Sequence, residues 1–308
     1  MLEYKISRED MLKWCRIPVE QLATHPDRKA EIIIRDTRGE IAEIVGNMMA
    51  DEIIAHNQAG LPTKWVLPSG PEDQYRTFIR RVNEERISLK NLYVFHMDEI
   101  LDWECRPYPL ANSFESCEGR MLHRFYGKID PELNVPEDHR IWPRINDMDY
   151  PDRMCQELGG IDTVWAGIGY KGLVAANESP ESPYFRITID QYAHGKTRII
   201  HKNPDSIVMK SERSFGGCYD LCDANMLTIG FGIMCTAKRC VGMVTTGKWK
   251  QTVVRVTLFS EPTLEYPVTI FHKYIPEMIL CCDKLTADHP LAHGEIILSN
   301  ENTGPGTN

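Results

Sequence analysis

Four short segments hold the residues of this chain best suited to chemistry: PSG at 68–70, HMDE at 96–99, GIGYKG at 167–172 and TTGKWK at 245–250. Asp98 and Glu99 follow an apolar run directly, so strand alternation sends only one of them toward any given side. A carboxylate desolvated at such an edge can act as a general base near neutral pH; a helix cap or a solvated acid pair would look the same in sequence. Ser69 and Gly70 stand at the mouth of an expected helix, whose free N–H groups and positive dipole end favour an anion. Pro71 suits the first helical position, and Glu72 and Asp73 suit the dipole, yet two carboxylates would repel a phosphate if they faced it. Lys248 and Lys250 follow a glycine turn, as a point-charge clamp on a phosphate would, and as a solvated helix start would. His96 is two residues before Asp98, on the same face of a continuous strand, which makes it a second candidate proton carrier.

The elements that must position these groups alternate. Residues 38–57 place Ile41, Ile44, Val45, Met48, Met49, Ile53 and Ile54 at helical steps, and KWVLPSG then reads as a strand entering a tight turn. A helix over 72–86, a strand over 91–100, a helix over 112–127 and a strand over 160–172 follow. KRCVGMVTTG gives a further strand, KWKQTVVRVTLFS a helix and EMILCCDK a late strand. This order predicts an α/β fold, a three-layer α/β/α single domain with a mainly parallel, Rossmann-like sheet. In such sheets ligands bind beyond the carboxyl ends of the strands, which is where the four segments fall. The expected boundaries are an N-terminal extension over 1–37 with an amphipathic helix in SREDMLKWCRIPVEQLA, a main domain over 38–290, and a flexible tail over 291–308.

Composition narrows the classes. A formal charge of −9 argues against a general nucleic-acid surface, where Lys and Arg must replace phosphate counterions. The ten cysteines form neither C-x-x-C pairs nor a compact ladder, and no signal peptide precedes them, so they read as reduced thiols of a cytoplasmic protein. Cys218 and Cys222 lack a second Cys/His pair, so no metal and no cofactor is expected. The longest uncharged run, residues 224–237, is short of the roughly 20 apolar residues that a membrane span needs.

In this order and spacing, the motifs LPSG, FHMDEI, GIGYKGLVAANES, LTIGFG and TTGKWK resemble those of the glucosamine-6-phosphate deaminase/isomerase family, which shares its fold with the 6-phosphogluconolactonases. The likeness runs from about residue 38 to about residue 285. It implies carbohydrate chemistry on a sugar phosphate, with Asp98 moving a proton between C2 and C1 of the opened sugar and Glu178 as the acid closing the glycine loop. It further implies that Ser69, Gly70, Gly169, Arg213 and Lys250 hold substrate, the 6-phosphate above all.

The departures from the family pattern are as informative. Where the family has Asp-Gly-His to open the sugar ring, this chain has Lys171, Gly172 and Leu173. Leucine cannot carry a proton and lysine reverses the charge, although Lys171 could supply a new cation near substrate or pair with Glu178. The second glycine and the threonine of the phosphate loop are Pro71 and Glu72, which removes an N–H and adds a negative charge. Three readings stay open: a deaminase or aldose–ketose isomerase, with lactone hydrolysis as a minor variant; a non-catalytic sugar or sugar-phosphate binder; and an enzyme for a non-phosphorylated sugar. A homo-oligomer is left open.

Overall fold

The computed structural model describes residues 5–294; of the tail expected over 291–308, residues 291–293 belong to the 3-10 turn Pro290–His293, closed at Gly294, and the rest lies outside the described residues. Ten strands are present among them: β1 Glu31–Arg35, β2 Thr63–Leu67, β3 Leu92–His96, β4 Asp98–Leu101, β5 Arg140–Ile141, β6 Thr163–Gly167, β7 Arg198–His201, β8 Asn225–Thr228, β9 Arg239–Val244 and β10 Glu277–Asp283. Seven form one sheet in the order β1-β10-β9-β6-β2-β3-β5, and every neighbouring pair in it is parallel. The other three form a small antiparallel sheet, β4-β8-β7.

The large sheet is covered on both faces, and the alternation along its strands shows how. Trp65 and Leu67 of β2, Trp165 of β6, Val241 and Met243 of β9 and Ile279 and Cys281 of β10 point into one apolar layer. Their neighbours Val66, Val164, Ala166, Cys240, Val244, Leu280 and Cys282 point into the other. Both sets are buried, which is the three-layer arrangement the alternating pattern predicts. Each such large apolar side chain contributes about 1.5–3 kcal/mol on leaving water.

Local sequence sets where the helices begin and how they meet. The helix Arg38–Ala59 opens with a reciprocal cap between Thr37 and Glu40 and ends at Gly60, which takes a left-handed φ of 67°. It packs against the helix Asp73–Glu84, and Gly46 makes the close approach possible. A Cβ there would lie 2.6 Å from the carbonyl oxygen of Gln74. That contact fixes the helix leading out of the PSG turn.

Three expectations on element boundaries change. The strand expected over 91–100 breaks at Met97: β3 stays in the large sheet and β4 turns into the small one. The N-terminal segment divides at Pro18 into helices Arg8–Cys15 and Val19–Leu22, since proline lacks the N–H that would continue the first. Residues 31–35, placed in the extension by sequence, form β1, the edge strand beside β10. Cys15, Ile17, Val19 and Leu22 are buried in the main core, so this segment is packed into the domain.

Candidate active site

A cavity of about 870 Å³ opens beyond the carboxyl ends of the parallel strands. Five strand ends contribute to its wall in this way: Gly70 after β2, Asp98 after β3, Gly169 after β6, Lys250 after β9 and Asp283 closing β10. Glu178 of the glycine loop and Arg213 of the helix Pro204–Phe215 complete it. Of the candidate residues, the cavity therefore gathers Gly70, Asp98, Gly169, Glu178, Arg213 and Lys250, while Ser69 and Lys171 stand outside its wall.

The break at Met97 separates the two acids of HMDE. Asp98 faces the cavity, with the Cys117 thiol donating to its Oδ1 at 3.6 Å. Burial pushes its pKa up, against the pull of Cys117, Lys202, Arg120 and Lys210, as suits a base that must gain and lose a proton. Glu99 points the other way and caps the helix Cys117–Arg124, its carboxylate accepting from the backbone N–H of Cys117 at 2.6 Å and of Glu118 at 2.8 Å. His96 does not share the face of Asp98, because the strand changes sheets between them. Its ring lies stacked 3.4 Å from Trp142 and its Nε2 is 2.8 Å from the Tyr126 hydroxyl. Burial, with Arg140 and Arg144 nearby, holds it neutral.

The PSG turn is packed against the glycine loop: a Cβ on Gly167 would meet the Pro71 ring at 2.6 Å. The following helix starts at Asp73, so Pro71 precedes the helix instead of opening it. Ser69 Oγ accepts from Arg120 Nη1 at 3.5 Å. Glu72 lies against Arg124, 2.9 and 3.0 Å from Nη1, and Asp73 accepts from Arg38 Nε at 2.8 Å.

At the opposite strand ends, Lys250 is buried with its Nζ 4.7 Å from the Trp249 ring centre, and the Arg213 guanidinium lies 4.9 Å from the same ring. Neither cation is paired with a carboxylate among the described residues. Burial, then Arg213 and Arg38, pushes the Lys250 pKa down to about 7, with Cys282 opposing. Thr246 Oγ1 and Trp249 Nε1, both on residues of the cavity wall, are buried with no hydrogen-bond partner among the described residues. Two cations and two unpartnered polar atoms at one end make a ready receptor for an oxyanion.

In the glycine loop, Lys171 takes a left-handed φ of 51° and sends its ammonium to Glu181 at 2.8 Å and Asp205 at 2.7 Å, not to Glu178. Burial works against its charge, but those two carboxylates outweigh it and raise its pKa. Leu173 lies in the cavity wall. Glu178 Oε2 accepts from the Asn203 N–H at 2.6 Å, and burial raises its pKa despite that bond and a second from Ser206.

Sequence reasoning passed over Lys202, Lys210 and Arg38, all on the cavity wall. The signal for Lys202 was the short run TRII at 197–200, separated only by His201 and Lys202 from Asn203-Pro204, a strand and helix start in succession.

No protein-family model matches the chain. It is 28% identical to the glucosamine-6-phosphate deaminase of Treponema denticola over 232 residues, 74% of this chain and 77% of that one. To the enzyme of the same name from Borrelia garinii subsp. bavariensis it is 28% identical over 211 residues, 65% and 70% of the two chains. Among solved structures, a monomeric glucosamine-6-phosphate deaminase superposes with a TM-score of 0.67 at 22% identity, over 83% of this chain and 98% of that one. The 6-phosphogluconolactonase of Trypanosoma cruzi gives 0.59 at 18% identity, over 84% and 96%. The fold is common to both kinds of neighbour. No helix among the described residues is long and apolar enough to cross a membrane.

Proposed function

Taking the chain as a divergent member of the glucosamine-6-phosphate deaminase/isomerase family, we propose that it is an aldose–ketose isomerase or deaminase acting on an amino-sugar or hexose 6-phosphate. One observation supports the reading: the wall of a single cavity includes a carboxylate of raised pKa, Asp98, at one strand end, and away from it the carboxylate-free cations Lys250, after β9, and Arg213, from the helix Pro204–Phe215. The cations, with the backbone at Gly70, hold the phosphate, and the sugar chain reaches Asp98. Gly169 leaves the loop room to lie against the sugar, and Glu178 stands beside it as the second acid.

In the open-chain amino sugar, Asp98 takes the proton from C2 as the C1 carbonyl becomes an enol, and returns it to C1. As the enol forms, O1 takes a proton from water; the electrons of the enol then give C1 its new C–H bond and C2 an imine, and the nitrogen returns a proton to water. Water then adds at C2 and ammonia leaves, giving the 2-ketose phosphate. With a hydroxyl in place of the amine, the same proton transfer ends at the ketose. Asp98 starts and ends ionised, so only water enters and only ammonia departs.

Glu72 motivated the reading as an enzyme of non-phosphorylated sugars. Its carboxylate is neutralised by Arg124, which supports a phosphate ligand. A specific observation favours one second reading, a sugar-phosphate binder without turnover: Leu173 stands in the cavity wall where a proton carrier is expected. Incubating the protein with glucosamine 6-phosphate and following ammonia and fructose 6-phosphate separates the two. Turnover that disappears in Asp98→Asn supports the enzyme; unchanged turnover in that variant sinks the role of Asp98, and tight binding with no turnover leaves the binder.

A further inference from the structure

Among the cations on the cavity wall that the proposed phosphate site does not use, Lys202 is the one whose strand also faces Asp98. Lys202 follows β7, is 9% exposed and forms part of the cavity wall. The register of the small sheet decides where it points. Ile100 of β4 pairs with Met226 of β8, which pairs with Ile200 of β7, and the three share one apolar patch with Cys117 and Ala176. With a period of two, Asp98 lies on the face of Ile100 and Lys202 on the face of Ile200. The base and the lysine thus project from the same side of one sheet into the same cavity.

We infer that Lys202 is the proton carrier of this cavity, the residue that opens the cyclic form of the sugar by passing a proton through its Nζ. The inference rests on the proposed isomerase or deaminase chemistry and names the group that starts it. A hexose phosphate rests as a cyclic hemiacetal, and opening needs a proton delivered to the ring oxygen and another withdrawn from the C1 hydroxyl. The Lys202 ammonium gives a proton to O5 as the C1–O5 bond breaks and its electrons stay on O5. The amine so formed takes the proton from O1 as those O–H electrons make the C1 carbonyl. Lysine ends as the ammonium it began as, and no co-reactant is needed.

Several other groups on the wall and near it are committed elsewhere: Arg38 is paired with Asp73, and Glu178 accepts from the Asn203 N–H. Leu173 has no proton to give, Lys171 is held by Glu181 and Asp205, and His96 is stacked on Trp142 outside the cavity. Lys250 and Arg213 sit together around Trp249. Lys202 has one fixed partner, the backbone carbonyl of Asp223, to which Nζ donates at 2.5 Å; Asp223 is itself held by the Tyr108 hydroxyl at 2.7 Å. An ammonium so anchored keeps two further N–H donors. Its surroundings also make it able to let a proton go. Burial and Lys210 of the neighbouring helix bring its pKa down to about 8, with Asp98, Asp223 and Glu178 opposing.

The test compares wild type with Lys202→Met and Lys202→Arg, each as the full chain and each verified by its thermal melt. Ammonia release from glucosamine 6-phosphate is followed from about pH 6 to about pH 9.5. Both variants are expected to lose about 10²-fold or more in kcat/KM, because arginine keeps the charge but does not release a proton at these pH values. Wild-type kcat/KM is expected to fall above pH of about 8, and that limb to be missing from both variants. An Arg variant within a few-fold of wild type overturns the proton carrier in favour of a fixed cation, and a Met variant equally active removes Lys202 from the reaction. If neither variant folds, wild type alone decides: no limb near pH 8 overturns the inference. A wild type silent on every phosphosugar defeats the proposed function first and this inference with it, before any variant is compared.

Discussion

Arg124 Nη1 lies 2.9 Å from Glu72 Oε1 and 3.0 Å from Oε2, so the acid that follows the PSG turn faces the helix Cys117–Arg124 and not the cations across the cavity. Replacing Arg124 with alanine leaves that carboxylate only its longer contact with Arg120 Nε, at 3.9 Å, without touching the cavity wall. A free charge at this edge opposes a phosphate by about 0.5–1 kcal/mol at an effective surface dielectric, or a few-fold in binding. Arg124→Ala is therefore expected to raise KM for a phosphosugar about 3-fold with kcat nearly unchanged. Adding Glu72→Gln restores it. Steady-state kinetics of the three proteins checks this, and a KM that ignores Arg124 removes Glu72 from the electrostatics of the phosphate.

Asp98 is a carboxylate whose burial raises its pKa, so folding favours its neutral form. Between the ordinary aspartate value and the raised one, the folded protein binds more protons than the unfolded chain, and stability falls as pH rises through that window. At neutral pH the ionised base is therefore a cost to the fold. Asp98→Asn is expected to abolish turnover while raising the melting temperature by about 2 °C. In wild type, kcat is expected to fall as pH drops through the raised Asp98 pKa, because the base must be ionised. Calorimetry of the variant is the check; a lower melting temperature would show that the carboxylate is held by more than Cys117 and the nearby lysines.

These residues also show how far a sequence reaches. The parallel strands were legible because Trp65, Val66 and Leu67 read as a short apolar run, the mark of a strand buried on both faces. The gathering of Gly70, Asp98, Gly169 and Lys250 followed, since parallel strands put their carboxyl ends on one side. The exit at Met97 was hidden, because FHMDEI stays apolar enough to continue and only tertiary pairing with β8 turns it aside. His96 was misplaced for that reason, and Glu99 became a helix cap. Lys202 escaped notice because β7 is half exposed, its residues alternating between partly buried and open, and so gives a weak hydrophobic signal.

Lys250 offers a readout that needs no catalysis. Its pKa of about 7 means that at pH 8 most molecules carry the neutral amine in the folded state. The unfolded chain holds that proton up to the ordinary lysine range, so the lysine's contribution to stability grows as pH rises from about 7 toward that range. A bound phosphate favours the ammonium and draws a proton back. Titrating an open-chain hexitol 6-phosphate at pH 8, in buffers of different ionisation enthalpy, is expected to show proton uptake approaching one per site. Lys250→Met is expected to abolish the uptake and weaken binding by about tenfold or more. Binding by that variant with uptake intact would move the phosphate away from Lys250.

Lys171 joins the glycine loop to the helix Pro204–Phe215, since Asp205, one of its two carboxylate partners, lies in that helix's first turn and Arg213 in its last. Its effect on substrate should thus be indirect, through where the helix holds Arg213. Lys171→Met breaks both ion pairs, each worth about 0.2–1 kcal/mol at partly exposed positions, and leaves a non-glycine residue at a φ of 51°. Lys171→Gly breaks the same pairs but relieves the left-handed backbone, which favours glycine by about 1 kcal/mol. The methionine variant is therefore expected to melt lower than the glycine variant, while both raise KM for a phosphosugar a few-fold and alter kcat less. Thermal melts and steady-state kinetics on the pair distinguish the terms. Equal melts would assign the cost to the ion pairs alone, and an unchanged KM in both would detach the loop from the placement of Arg213.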